Sequence, residues 1–247
     1  MTLHHRLQAL TLRCIAYQVF FDDNDKVYLT TSRRIRHSDT SLPFDIGLYL
    51  TEIDLETGRS LTPSVLVRSA GGGQSSGTVE GSHIHKHAGL YYLFAAQGGT
   101  EGGHCATVSR SASVWGPYEE PPQGVNPIVH NGDHPDVQGT GHMDIVPIIG
   151  TDTWLAVFLG TRPTRTGSAE RPEFSTSGHI GRETFAAGMI WTRDGWPRVN
   201  HGRRIGLVDQ YENVPTAVRV DKDWQDEFQG SGTQRRLPAH PDLADHD

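Results

Sequence analysis

His83-Ile84-His85-Lys86-His87-Ala88-Gly89-Leu90-Tyr91-Tyr92-Leu93-Phe94-Ala95-Ala96 reads as a strand, a tight turn and a second strand in one run. The turn falls at His87-Ala88-Gly89, and LYYLFAA after it is a β run. The same grammar recurs on both sides. Val19 to Thr31 (VFFDDNDKVYLTT) starts apolar, turns on Asp22-Asp23-Asn24-Asp25 and then alternates. Ile46 to Leu55 alternates, turns at Glu56-Thr57-Gly58 and leads to a run at Val65 to Val67. Cys105 to Arg110 forms a short strand after a glycine-rich loop. His142 to Ile149 and Thr153 to Gly160 flank a Gly150-Thr151-Asp152 turn, and Arg182 to Trp191 ends in Arg193-Asp194-Gly195-Trp196. Amphipathic helical periodicity is absent, so the fold class is all-β: a sandwich, a barrel or a propeller. Two segments differ. Thr164 to Gly178 is polar and reads as a surface loop, and the chain beyond Trp224 reads as a disordered tail.

Composition narrows the partners. The 247 residues carry a formal charge of −7, with 35% hydrophobic residues, 28 glycines and 14 prolines. This is the profile of a turn-rich globular chain, and its charge disfavours nucleic acid. Its longest apolar runs are too short to span a bilayer, so no membrane partner is expected. Cys14 and Cys105 allow one disulfide and no zinc knuckle. His130, Asp133, His134, Asp136 and His142 match no compact zinc spacing. His83 and His85 lie on one strand face, where two imidazoles could pair on a metal.

Four blocks in order resemble glycoside hydrolase family 43, in its β-xylosidase and α-L-arabinofuranosidase branch. They are Thr78-Val79-Glu80-Gly81-Ser82-His83; Tyr91 to Thr100 with His104, Ser109-Arg110-Ser111 and Gly116-Pro117-Tyr118-Glu119; Gly141-His142-Met143-Asp144 with Trp154 to Val157 and Gly160 to Pro163; and Gly181-Arg182-Glu183-Thr184 with Asp194-Gly195-Trp196-Pro197. The resemblance implies a five-bladed β-propeller. About three blades are represented, with a stub of a C-terminal β-sandwich. The expected division is residues 1–18 outside the family, 19–200 as partial propeller, and 201–247 as a truncated next domain with its tail.

The resemblance also implies roles. Glu80 matches the family's proton-donating glutamate, His142 the axial histidine and Arg182 an arginine that reaches the sugar. Such enzymes hydrolyse xylose- or arabinose-containing glycans with inversion, using one carboxylic acid and one carboxylate base. No cofactor is required, and a calcium ion near His142 is the cation the family suggests. The base aspartate has no counterpart, and the aspartate that tunes the acid falls at Ala16. Asp22 and Asp23 read as an acidic hairpin turn rather than replacements. His85 reads as surface variation, and Asp144 and Glu183 as structural pairs. Trp115, Tyr118, Trp154, Trp191 and Trp196 are expected to pack between blades. The opposing expectation is an inactive fragment that at most binds carbohydrate weakly. An open arc of blades further predicts self-association through exposed edges. The N-terminus shows no secretion signal, although members of the family are often extracellular.

Overall fold

The computed structural model describes residues 16–35, 45–70, 78–100, 102–168, 171–175 and 181–208, all within one structural unit. Strands β1 (Tyr17–Phe21), β2 (Val27–Arg34), β3 (Ile46–Ile53) and β4 (Val65–Ser69) pair in chain order into an antiparallel sheet. A second sheet follows from β5 (Val79–His87), β6 (Leu90–Gln97) and β7 (Cys105–Ser111). In the third, β8 (Gln138–Pro147), β9 (Trp154–Thr161), β12 (Glu183–Trp191) and β13 (Pro197–Val199) again pair as a meander. Three successive antiparallel meanders are three blades of a β-propeller.

Strand β6 shows why the sequence folds this way. Tyr91, Leu93 and Ala95 face the first blade, packing with Phe20, Leu48, Leu50 and Ile84. Tyr92 and Phe94, one residue out of phase, face the third blade with Met143, Ile145, Phe158 and Met189. Successive strand side chains point to opposite faces. A run apolar at every position is therefore buried on both faces, as only a sheet stacked between two others can be. The tryptophans and Tyr118 follow the same logic: Trp115 and Tyr118 line the first interface, and Trp154, Trp191 and Trp196 the second.

Polar ties lock the same two interfaces. Ser82 donates to Thr30 Oγ1 at 2.9 Å, and the Ile84 N–H donates to Gln18 Oε1 at 2.8 Å, joining the first two blades. The Tyr92 hydroxyl donates to the Gly195 carbonyl at 2.6 Å, joining the second and third. Beyond β13, a 3₁₀ turn (Asn200–Gly202) leads to Ile205, which is buried and bonded at both its N–H and C=O by Asn131.

The loop expected from Thr164 to Gly178 is instead a ribbon: β10 (Thr164–Ser168) pairs with β11 (Arg171–Ser175) from Thr164↔Ser175 to Ser168↔Arg171. Polar composition reports exposure, whereas the ladder satisfies backbone groups whatever the side chains are. Residues 176–178, Cys14 and the tail beyond Trp224 lie outside the described residues, as does the chain from 209 on that the sandwich stub would occupy. No described helix is long and apolar enough to cross a membrane.

Candidate active site

Glu80 sits at a break in β5. It pairs with Ala96, but the register shifts before His83 pairs with Phe94. Gly81, inside the break, has φ +56°, a conformation that disfavours a side chain. Space dictates glycine as well, because a Cβ there would lie 2.6 Å from His142 Nε2. The His142 ring therefore lies directly on the backbone next to Glu80. The Glu80 carboxyl is half-buried and makes no hydrogen bond or ion pair among the described residues.

His142 comes from an irregular part of β8, whose register against β9 shifts between Gln138 and Gly141 and again between Gly141 and Asp144. Its own φ is +52°. Its ring centroid is 5.6 Å from that of His83. His104, just ahead of β7, is buried, and its Nδ1 lies 2.8 Å from the Gly139 carbonyl. A carbonyl only accepts, so Nδ1 carries the proton. Burial pushes the His104 pKa down; the Gly139 bond opposes this, while the charges of His142 and Arg182 lower it and that of Glu80 raises it. The structure thus brings Glu80 and His142 together through Gly81, while Arg182 makes no described contact with either. Arg182 is exposed, and its guanidinium has no described partner. The adjacent Glu183 is held by Arg162, through contacts of 2.8 and 2.6 Å, so the two neighbours do not pair with each other.

Below Glu80 on the same strand, His85 Nε2 donates to Asp144 Oδ1 at 2.6 Å, and His83 Nδ1 lies 3.3 Å from Asp144 Oδ2. Burial pushes the Asp144 carboxyl up, but the His85 bond and the His83 charge outweigh it and hold it below the usual range. His83 is shifted below an ordinary imidazole by burial, against the pull of Asp144. The reading of His85 as surface variation is thereby corrected: a half-buried ring with a carboxylate partner ties the second blade to the third. Asp144 is a structural pair, as expected. His104 belongs to the second family-like block, but the sequence assigns it no role, because its contacts with Gly139 and Gly141 join segments far apart in the chain.

Calcium takes six to eight oxygen ligands. Around His142 the described side chains offer the imidazoles of His83 and His104, and no described group of three or more His, Cys, Asp or Glu is placed to hold a metal. These side chains do not by themselves fit a calcium ion.

The profile of Glycosyl hydrolases family 43 matches residues 4–197. The chain belongs to that family. Because the match opens at residue 4, it takes in most of the stretch the sequence reading set outside. Within that stretch, Tyr17 and Gln18 pair with Thr31 and Thr30 in the first blade. The non-reducing end α-L-arabinofuranosidase BoGH43B of Bacteroides ovatus is 36% identical over 189 residues, which is 75% of this chain and 33% of that protein. A xylosidase/arabinosidase of Butyrivibrio fibrisolvens is 34% identical over 214 residues, covering 83% of this chain and 37% of its own length. The crystal structure of a xylan β-1,4-xylosidase from Bacillus halodurans C-125 superposes with a TM-score of 0.67 at 28% identity, over 83% of this chain and 36% of that one. The chain thus spans about a third of the length of these relatives.

Proposed function

We propose that this chain carries the proton-donating part of an inverting glycoside hydrolase acting on xylose- or arabinose-containing glycans. Glu80 is the acid, Arg182 contacts sugar hydroxyls and His142 supports the pocket floor. The observation that carries the reading is the Glu80 carboxyl, unpaired on a strand break whose glycine is covered by His142. The relatives' names, arabinofuranosidase and xylosidase, support the substrate class.

Inversion needs a second carboxylate, roughly 6.5–9.5 Å away, to activate water on the opposite face of the sugar. Four of the buried or half-buried carboxylates among the described residues are engaged elsewhere. Asp22 accepts from Lys86 and Tyr91, Asp144 from His85, Glu183 from Arg162, and Glu52 from Lys26. Ala16 occupies the tuning position, where its carbonyl accepts from the Ser32 N–H at 3.0 Å. These observations favour a chain that is catalytically silent on its own and binds carbohydrate weakly. Loss of one acid–base group costs roughly 10²–10⁴ in rate.

The test is to assay the purified chain on aryl β-xyloside and aryl α-L-arabinofuranoside, with Glu80→Gln as control, and to map xylose and arabinose binding by NMR. We expect no turnover above the control, with sugar-induced shifts at Glu80, His142 and Arg182. Turnover that Glu80→Gln abolishes would overturn the silence and keep the acid. Sugar contacts elsewhere, or none, would sink the site. Self-association belongs to the same reading. The edge strand β1 exposes Tyr17 (50%) and Phe21 (59%), and the opposite edge β4 exposes Val65 and Leu66. A monomer at all concentrations by light scattering would refute it.

A further inference from the structure

We propose that His104 is a positioning residue of this site: by bonding Gly139 and seating its ring on Gly141, it fixes the irregular stretch of β8 that lays His142 against Gly81. The inference rests on reading Glu80 as the acid, and its geometry can be tested apart from that reading.

Strand β8 has reason to straighten. Between Gln138 and Asp144 it departs twice from the β9 register, and Gly139 and His142 take left-handed backbone conformations of φ +57° and +52°. For a residue with a side chain, that conformation is disfavoured. Something outside the strand must hold it there, and His104 makes the contacts that can. Its Nδ1–H reaches the Gly139 carbonyl at 2.8 Å, at the first register shift. Its ring covers the next irregular position: a Cβ on Gly141 would lie 2.6, 2.7 and 2.8 Å from Nε2, Cδ2 and Cε1. Three ring atoms at nearly equal distance mean that the ring lies flat over the glycine.

The same motif repeats one step nearer the acid. The His142 ring covers Gly81, with the corresponding distances to Nε2, Cδ2 and Cε1 at 2.6, 2.7 and 3.0 Å. Two histidine-on-glycine contacts thus run in series, from His104 to Gly141, through one peptide to His142, and from His142 to Gly81 beside Glu80. The far end of the irregular stretch is fixed separately, by the His85 bond to Asp144. His142 is therefore held between two anchors. His104 is buried to 3% exposure and acts through β8 rather than on a ligand.

Two variants separate anchoring from space-filling. His104→Asn keeps an N–H donor where Nδ1 stands, and His104→Leu keeps bulk without a donor. The readouts are the three-bond HN–Hα coupling of His142, which reports its φ, and the amide shift of Glu80. Asn is expected to preserve both. Leu is expected to move the His142 coupling to that of an extended strand and to shift the Glu80 amide. If the Leu variant keeps the native values, His104 is only a filler and the proposal fails. Should Leu prevent folding, the wild-type chain still decides. A His104 Nδ1 proton protected from exchange and correlated with the Gly139 carbonyl supports anchoring, while protonation at Nε2 overturns it. Neither readout needs sugar or turnover, so failure of the glycosidase reading would appear in the sugar titration and leave these signals unchanged.

Discussion

Asp22 and Glu80 belong to adjacent blades and are both withdrawn from bulk water, yet their surroundings are opposite. Asp22 closes β1 with its side chain 1% exposed, and its oxygens accept from the Tyr91 hydroxyl at 2.8 Å, Lys86 Nζ at 3.0 Å and the Asp23 N–H at 2.9 Å. Burial pushes its pKa up, but the bonds from Lys86, Tyr91 and Asp23 outweigh this and bring it below the usual carboxylate range. Glu80 makes no such bonds. A carboxylate whose hydrogen bonds are filled from within the protein holds the fold together. One left with bonding capacity is where a ligand can act.

The largest expected effect tests that contrast directly. Asp22→Ala removes a charged acceptor from three donors and leaves the Tyr91 hydroxyl buried without its partner. It should destabilise the chain by about 3 kcal/mol. Glu80→Ala should change stability by no more than about 0.5 kcal/mol. Urea unfolding of both variants decides; equal losses would mean that Glu80 is also a structural carboxylate.

Gly81→Ala comes next. The new methyl would meet the His142 ring, and the residue would be forced to keep φ +56°. A cost of about 2 kcal/mol in thermal unfolding is expected. A neutral result would show that His142 does not press on the backbone beside the acid. Tyr91→Phe should cost less, about 1 kcal/mol, because Asp22 keeps Lys86 and the Asp23 N–H. A loss as large as that of Asp22→Ala would place the weight of the network on the hydroxyl alone.

Much of this was legible in the sequence because blades are written in period two. The all-apolar run Leu90 to Ala96 could only be a strand covered on both faces, and the turns at Asp22-Asp25, Ala88-Gly89 and Gly150-Asp152 fell where the hairpins are. Motif order put Glu80 and His142 on separate blades, and the structure brings the His142 ring onto Gly81 beside Glu80. What stayed hidden depends on contacts between strands far apart in the chain. Asp22 read as a turn acid because Lys86 and Tyr91 lie 64 and 69 residues away. His85 read as surface because Asp144, its partner, belongs to another blade. The Thr164 to Ser175 ribbon was missed for a different reason: polar residues leave no hydrophobic pattern, and backbone pairing leaves no mark on sequence.

The smallest expected effect is on acid stability, and it extends the comparison from one carboxylate to the whole site. His83, His87 and His104 are each pushed below an ordinary imidazole by burial. In the unfolded chain these rings take up protons near pH 6.5, whereas the folded chain resists until lower pH. The unfolded state then binds more protons, so stability falls as pH drops below about 6.5. Asp22 and Asp144 act with the same sign at lower pH. Their contribution is complete above about pH 4 and is lost as pH falls through their depressed folded values. Urea midpoints between pH 7 and 3 should therefore decline in two steps. Asp22→Asn should shrink the second step and spare the first, while Glu80→Gln should leave both in place. A flat profile from pH 7 to 5 would mean that the rings titrate alike in both states, and that the histidines around Glu80 are wetter than their packing indicates.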